Sequence, residues 1–218
     1  MTDWRALTPA DIERRSFEII TEELGETGFS PLELLVLKRV IHATADFEYA
    51  QTLYFSENAA EHGIGLLRRG AHILTDTNMA KAGVNKAALS KLGGDVHCFM
   101  ADEEVARQAK AQGITRAAVS MEKIAGLPRP LIVAVGNAPT ALLRLHELMA
   151  GGSAAPDLIV ATPVGFVNVV ESKQVIQAGK TPCIVARGRR GGSTVAAAIC
   201  NALLYEAVRR TGRQNAGL

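Results

Sequence analysis

The segment "VIHATADFEYA", residues 40–50, sets one histidine close to polar and acidic side chains. His42 is followed by Thr44, Asp46 and Glu48. Histidine is the side chain whose ordinary pKa suits proton transfer near neutral pH. A lone histidine on a helix is more often structural, so these residues alone leave His42 open between packing and acid–base chemistry.

The element that carries His42 reads as an amphipathic helix. In "SPLELLVLKRVIHATADF", Ser30 can cap the helix, Pro31 suits its first position and Glu33 completes a capping box. An apolar stripe then recurs at helical spacing, at Leu34, Leu37, Ile41 and Thr44. A neighbouring polar face carries Lys38, Arg39, His42 and Asp46. His42 therefore lies off the apolar stripe.

After about residue 70, short apolar runs alternate with segments of helical length. The predicted strands are 72–74, 96–100, 131–135, 158–161 and 183–186. The intervening segments are mostly closed by glycine, as helices commonly are. The alternation predicts an α/β fold with a mostly parallel five-stranded sheet and helices on both faces. We expect one domain over residues 1–218, mainly helical in 1–70 and alternating β/α in 71–218.

The strand exits are the next candidates for function. "VGNAPTA", "TPVGFVNVVES" and "ARGRRGGS" each follow a predicted strand, and "LTDTNMAKAGVNK" leaves the first one. Open α/β sheets bind ligands at the carboxyl ends of their strands, so the four loops should converge there. Arg187, Ser172 and Lys173 are candidate binding residues from their place at these exits.

Other chemistries are less well supported. "GRRGGS", residues 188–193, lacks the glycine spacing of a dinucleotide loop and the lysine of a P-loop, and it reads equally as a turn or an anion-binding loop.

Asp76 lies near asparagines without the spacing of a calcium site, which favours turn chemistry. Lys86 and Arg116 lie near predicted helix starts, where a cation is unfavourable without an anionic partner, although the sequence alone favours ordinary surface placement. No serine or cysteine lies in a nucleophile elbow.

Composition sets wider limits. The 218 residues carry 24 Lys and Arg against 22 Asp and Glu, a net charge of +2 that does not by itself indicate nucleic acid. Three widely spaced cysteines suggest neither disulfides nor a zinc site. No apolar run approaches the length of a membrane span, and the first residues do not resemble a signal peptide. We expect a cytoplasmic protein with no membrane or nucleic-acid partner.

Six ordered blocks together resemble one known family. They are "RVIHATADFEYA", "TDTNMAKAGVNK", "GITRAAVSMEK", "VGNAPTALLRL", "PVGFVNVVESK" and "GRRGGSTVAAAICNALL". The chain is similar over residues 11 to about 204 to the precorrin-8X methylmutase family of cobalamin biosynthesis. The resemblance implies a flavodoxin-like, three-layer α/β/α fold, a homodimer and a corrinoid substrate.

The resemblance also implies an isomerase reaction, in which a methyl group moves from C11 to C12 of the corrinoid ring without a cofactor or metal. The family's catalytic histidine falls on His42, which would protonate or hydrogen-bond a ring-C nitrogen. Substrate-pocket positions of the family fall on Ser16, Asn85, Lys86 and Arg116. Asn137 and the Gly165 backbone are further candidates for the rim of the macrocycle.

Three questions stay open at this level. Burial would disfavour an imidazolium at His42, whereas a helix C-terminus or Asp46 would favour it. The sequence does not separate a metal-free from a cobalt-bearing substrate. A corrinoid carrier with the same fold and no turnover is the main competing function, and an RNA- or nucleotide-binding module resting on "ARGRRGGS" is a second.

Overall fold

A central sheet organises the protein. The structure is a computed structural model, and it describes residues 8–215, with side chains described up to residue 212. The strands are β1 (Leu53–Phe55), β2 (His72–Thr75), β3 (Val96–His97), β4 (Leu131–Val135), β5 (Leu158–Ala161) and β6 (Cys183–Ala186). Their apolar, β-branched runs suit a sheet that is covered on both faces.

The strand order places the site. Within the described residues the sheet runs β1-β6-β5-β4-β2-β3, and only β1 is antiparallel to its neighbour. The five parallel strands have the 2-1-3-4-5 order of flavodoxin. The chain reverses its winding direction between β2 and β4, which makes the carboxyl ends of these strands a topological switch point.

The prediction of five strands was wrong by one, and one predicted strand was too long. β1 is only three residues long and follows a four-residue helix, so it gives too short a period-2 signal to recognise. It pairs along β6, from Leu53 opposite Ala186 to Phe55 opposite Ile184, and covers that edge. β3 spans only Val96–His97 and pairs with Ile73 and Leu74 of β2, so the predicted strand 96–100 was three residues too long.

Helices cover both faces of the sheet, as the alternation predicts. They are α1 (Pro9–Leu24), α2 (Pro31–Thr44), α3 (Tyr49–Thr52), α4 (Ala59–Arg68), α5 (Asn78–Gly83), α6 (Lys86–Lys91), α7 (Glu103–Gln112), α8 (Arg116–Glu122), α9 (Pro139–Ala150), α10 (Val169–Gln177) and α11 (Ser193–Asn215). Buried residues of α2, α4 and α11 share one apolar core with the sheet. Those of α8, α9 and α10 form a second core on the opposite face.

Helix α2 forms where the sequence predicts it. The Ser30 side chain accepts from the Glu33 N–H, the Glu33 carboxylate accepts from the Ser30 N–H, and Pro31 is the first helical residue. Val36, Leu37, Val40 and Ile41 are buried against the sheet and its neighbours. The helix ends at Thr44 and is capped by Ala45, which adopts the left-handed conformation and donates its N–H to the Ile41 carbonyl. This end fixes His42 in the last turn.

Candidate active site

The four predicted loops converge at the carboxyl edge of the sheet. Asp76, after β2, accepts hydrogen bonds from backbone N–H groups of the loop after β4. The Gly192 N–H, after β6, donates to the Thr162 carbonyl, after β5, at 2.8 Å. The Thr77 and Ser193 hydroxyl oxygens are 2.7 Å apart and join the exits of β2 and β6. This part of the sequence prediction is confirmed.

A cleft of about 250 Å³ opens beside these loops, on the α2–α11 side of the sheet. Its walls are the C-terminal half of α2, helix α5 and the N-terminal half of α11. The lining residues are Arg39, His42, Ala43, Met79, Gly83, Ser193, Thr194, Ala197, Ala198 and Asn201. Small residues on α11 keep the cleft open next to the imidazole of His42.

His42 is exposed in this cleft, and one face of its ring is covered by an aromatic side chain. The Phe17 ring of α1 stacks on the imidazole with a centroid separation of 5.2 Å and an interplanar angle of 24°. Among the described residues, nothing forms a hydrogen bond with either ring nitrogen. Phe17 therefore restrains the ring while both nitrogens stay available to a ligand.

Arg39 lies one turn before His42 on the same face of α2 and also lines the cleft. Its guanidinium carbon lies 5.1 Å from the Phe17 ring centroid and 4.8 Å from that of Tyr205. A guanidinium nitrogen contacts the Glu13 carboxylate at 3.0 Å. The cleft thus places a guanidinium next to the imidazole, and the Glu13 carboxylate partly balances its charge.

Asp46 does not pair with His42. Its carboxylate forms an ion pair with Arg190, whose guanidinium also contacts Glu48 at 2.9 Å. The loop after β6 is thereby fastened to the segment that follows α2. Asp46 therefore holds the segment after α2 to this loop and forms no hydrogen bond with His42.

Three predicted binding residues lie outside the cleft lining but next to residues that contact it. Asn85 caps α6, and its N–H donates to the side chain of Asn201, a lining residue, at 2.9 Å. Lys86 follows it as the exposed first residue of α6. Ser16 precedes Phe17 on α1, where its hydroxyl donates to the Ile12 carbonyl at 2.8 Å. Their substrate contacts stay predictions.

Two other predicted binding residues are buried away from the cleft lining. The Ser172 hydroxyl donates to the Val169 carbonyl within α10 at 2.9 Å. Lys173 is 2% exposed, and its ammonium donates to the Gly188 and Arg190 carbonyls at 2.8 Å each. Burial lowers the pKa of Lys173 to about 8. A substrate role for either residue would require these internal contacts to open.

The remaining predicted residues lie at the carboxyl edge outside the cleft lining. Arg116 is exposed at the start of α8, in the helix layer on the opposite face of the sheet. Asn137 is exposed after β4, and the Gly165 N–H donates to the Arg189 carbonyl at 3.2 Å. Arg187 donates to Gln177 at 3.0 Å and lies over the Tyr54 ring. None of these side chains meets His42 in a single chain.

Sequence reasoning missed several residues of the cleft. Arg39 was predicted to share the polar face of α2 with His42, but it was not among the candidate binding residues. Phe17, Ser193 and Asn201 come from distant parts of the chain, and no local pattern connects them with His42. Only the packing of α1 and α11 against α2 brings them together.

The described residues also bear on two other kinds of feature, metal sites and membrane spans. No group of three or more His, Cys, Asp or Glu side chains there could hold a metal ion. No helix among those residues is long and apolar enough to cross a membrane.

Comparisons with known proteins agree on one family. The family model for precorrin-8X methylmutase matches residues 11–206. Cobalt-precorrin-8 methylmutase of Priestia megaterium is 41% identical over 204 residues, which cover 93% of this chain and 91% of that protein. The Salmonella typhimurium protein of the same name is 43% identical over 205 residues, covering 90% and 95%. A crystal structure of precorrin-8x methyl mutase from Thermus thermophilus superposes with a TM-score of 0.86 at 44% identity, covering 92% and 97%.

Proposed function

The chain belongs to the precorrin-8X methylmutase family, and on that premise we propose that His42 is the proton donor of its reaction. The reaction is an isomerisation in corrin ring biosynthesis: the methyl group on C11 of precorrin-8X, or of its cobalt form, moves to C12. The product is hydrogenobyrinic acid or cobyrinic acid. The enzyme is an intramolecular transferase, and donor and acceptor carbon lie in one molecule.

The availability of the His42 ring carries the proposal. It is an exposed imidazole in a cleft at the ligand-binding edge of the sheet, stacked on Phe17, with no hydrogen-bond partner among the described residues. An imidazolium there can protonate or hydrogen-bond a ring-C nitrogen and draw electron density from the conjugated system. The bond from C11 to the methyl group breaks as that density is withdrawn, and the new bond forms at C12. A proton given to the ring-C nitrogen returns to His42, so substrate and product stay isomers.

Charged neighbours support a role in holding the substrate in register. Corrinoids of this stage carry several acetate and propionate carboxylates, and Arg39 offers a guanidinium one helical turn from His42. Asn85 contacts Asn201 of the cleft lining, Lys86 follows Asn85 on α6, and Ser16 precedes Phe17 on α1. We infer that these side chains bind substrate carboxylates, so that ring C rests against His42.

The size of the cleft supports a homodimer. Pockets that enclose drug-sized ligands reach roughly 300–1,000 Å³. A tetrapyrrole with its carboxylate side chains belongs at the upper end of that range, whereas the cleft encloses about 250 Å³. Phe166 and Val167, on the loop after β5, are 82% and 79% exposed. We infer that a second copy adds walls to the site, and sedimentation equilibrium should give the mass of a dimer. A cytoplasmic location is part of the same proposal.

The decisive experiment is an ultraviolet–visible time course with metal-free precorrin-8 and, separately, with its cobalt form. The wild-type protein should shift the spectrum to that of the methyl-migrated corrin, and His42→Ala should abolish the shift while leaving corrinoid binding largely intact. His146→Ala, at an exposed histidine on α9, is the matched control and should convert substrate normally. The faster substrate identifies the metal form that the enzyme uses.

Other outcomes would redirect the assignment. If His42→Ala converts substrate at the wild-type rate, His42 is not the proton donor. Tight binding of both substrates without conversion by the wild-type protein would favour the carrier function instead. Separately, Arg116→Ala should weaken corrinoid binding, and unchanged affinity would remove Arg116 from the pocket.

A further inference from the structure

The switch point between β2 and β4 contains a preformed anion cradle. The loop after β4 presents the backbone N–H groups of three consecutive residues, Gly136, Asn137 and Ala138, at the start of α9. Consecutive N–H groups at a helix start form a typical binding site for phosphate or carboxylate. In open α/β sheets a ligand commonly occupies this position.

In this protein the side chain of Asp76 occupies the cradle. One carboxylate oxygen of Asp76 accepts from the Gly136 N–H at 2.7 Å. The other accepts from Asn137 at 2.9 Å and Ala138 at 2.7 Å. Asp76 is fully buried. Burial raises the pKa of this carboxyl, while the three N–H bonds act in the opposite direction.

The contacts continue from Asp76 to the cleft that holds His42. Thr77 caps α5, a wall of the cleft, and its hydroxyl oxygen is 2.7 Å from that of Ser193. Ser193 is a lining residue at the start of α11. Gly136 packs so closely on α11 that a Cβ atom there would lie 2.7 Å from the Ser193 Cα. A shift of residues 136–138 would therefore change the packing against the start of α11, where Ser193 lies.

We propose that Asp76 is a positioning residue for the methyl shift: it clamps residues 136–138 against the start of α11 and so sets the wall of the cleft beside His42. Because its carboxylate occupies the switch-point cradle, the ligand site is moved to the neighbouring α2–α5–α11 cleft. This inference rests on the proposed function of that cleft. Asp76 itself does not touch the substrate, since it is fully buried.

The test combines a truncation with chemical rescue. Asp76→Ala removes the carboxylate and leaves its methyl group, so the cradle becomes an empty site of formate size. We expect kcat to fall by roughly tenfold or more, since small displacements of a catalytic site can cost about 100-fold. Formate should restore much of kcat, because it can accept the same three N–H bonds. KM should change less than kcat.

Two controls separate this role from a general loss of stability. Asp102→Ala removes an exposed carboxylate before α7 and should respond to formate no more than the wild type does. Asp76→Asn keeps one acceptor oxygen but turns an amide donor toward the N–H groups, so it should lose activity without formate rescue. If Asp76→Ala does not fold, Asp76→Asn still decides the matter: wild-type kcat in that variant would overturn the proposal.

A readout that needs no turnover completes the experiment. In ¹⁵N-labelled Asp76→Ala, formate should shift the amide resonances of residues 136–138. The proposal would be overturned by a folded Asp76→Ala protein with wild-type kcat. It would also be overturned if formate changed neither the lost activity nor the amide resonances of that variant. Conversion of substrate by His42→Ala would overturn only the proposed role of His42. The formate-induced amide shifts test the cradle at residues 136–138 and do not depend on His42.

Discussion

Replacing Lys173 with methionine tests how the loop after β6 is held in place. The ammonium of Lys173 is buried on α10 and donates to the carbonyls of Gly188 and Arg190. Within the described residues it has no carboxylate partner. The same loop forms ion pairs through Arg190 with the acidic side chains after α2, so Lys173 indirectly supports the helix end that carries His42.

Two opposing energies set the expected magnitude. Methionine has a similar length but no donor, so two carbonyls lose their partners, at about 1–3 kcal/mol each. Against this, burial lowers the pKa of Lys173 from 10.5 to about 8, and each unit corresponds to about 1.36 kcal/mol. At neutral pH the wild-type protein therefore carries a charge-burial penalty of up to roughly 3 kcal/mol, which the variant lacks.

The sign of the pH dependence follows from the direction of the pKa shift. Between pH 8 and 10.5 the unfolded chain binds more protons at Lys173 than the folded protein does, so wild-type stability rises with pH in this window. The free energy of unfolding lost in Lys173→Met should be smallest near pH 7, because the charge-burial penalty of the wild type offsets part of the cost of the two unpaired carbonyls. The difference in free energy of unfolding between wild type and variant should then grow by up to roughly 3 kcal/mol as the pH approaches 10.5.

Urea unfolding of both proteins from pH 7 to 10.5 measures the difference between their free energies of unfolding. The contributions of all other titrating groups are the same in both proteins and cancel in this difference. Lys180→Met, at an exposed lysine after α10, is the control and should show a difference that does not depend on pH. If the gap between wild type and Lys173→Met is the same at every pH, Lys173 is not held as a desolvated cation in the folded state.

Two further changes probe the loop and the end of α11. Gly191→Ala should destabilise the protein by about 1–3 kcal/mol or more and lower activity, because a Cβ atom would lie 2.1 Å from the Thr162 carbonyl oxygen. Thermal unfolding checks this against Gly126→Ala, where a Cβ meets nothing within 4 Å, and equal melting temperatures would refute it. Hydrogen bonds from Arg209 and Arg210 lower the pKa of Glu206 to about 2, so its stabilisation is present above pH 4.5 and is lost as the pH falls toward 2. In urea unfolding from pH 4.5 toward pH 2, the free energy of unfolding of the wild type should fall by up to roughly 3 kcal/mol more than that of Glu206→Gln. Parallel pH profiles of the two proteins would contradict this.

Much of the fold could be predicted because its signals are local. A capping box, a proline at the first helical position and an apolar stripe depend on residues within a few positions of each other, and α2 forms with the predicted cap. Short apolar runs between helical segments likewise specify parallel strands, and four of the five predicted runs match strands closely. Strand β1 was missed because its three residues become a strand only by pairing with β6.

The candidate site likewise combines features that local sequence determines with features that depend on tertiary packing. The sequence by itself determined that His42 lies off the apolar stripe at a helix end, and that polar loops meet at one edge of the sheet. Only the tertiary structure decided which side chains surround the imidazole: Phe17 from α1, and Ser193 and Asn201 from α11. It also put Lys173 inside the protein and filled the switch-point cradle with Asp76. Helix and strand periodicities act over a few residues, whereas these contacts depend on how distant helices pack on the two faces of the sheet.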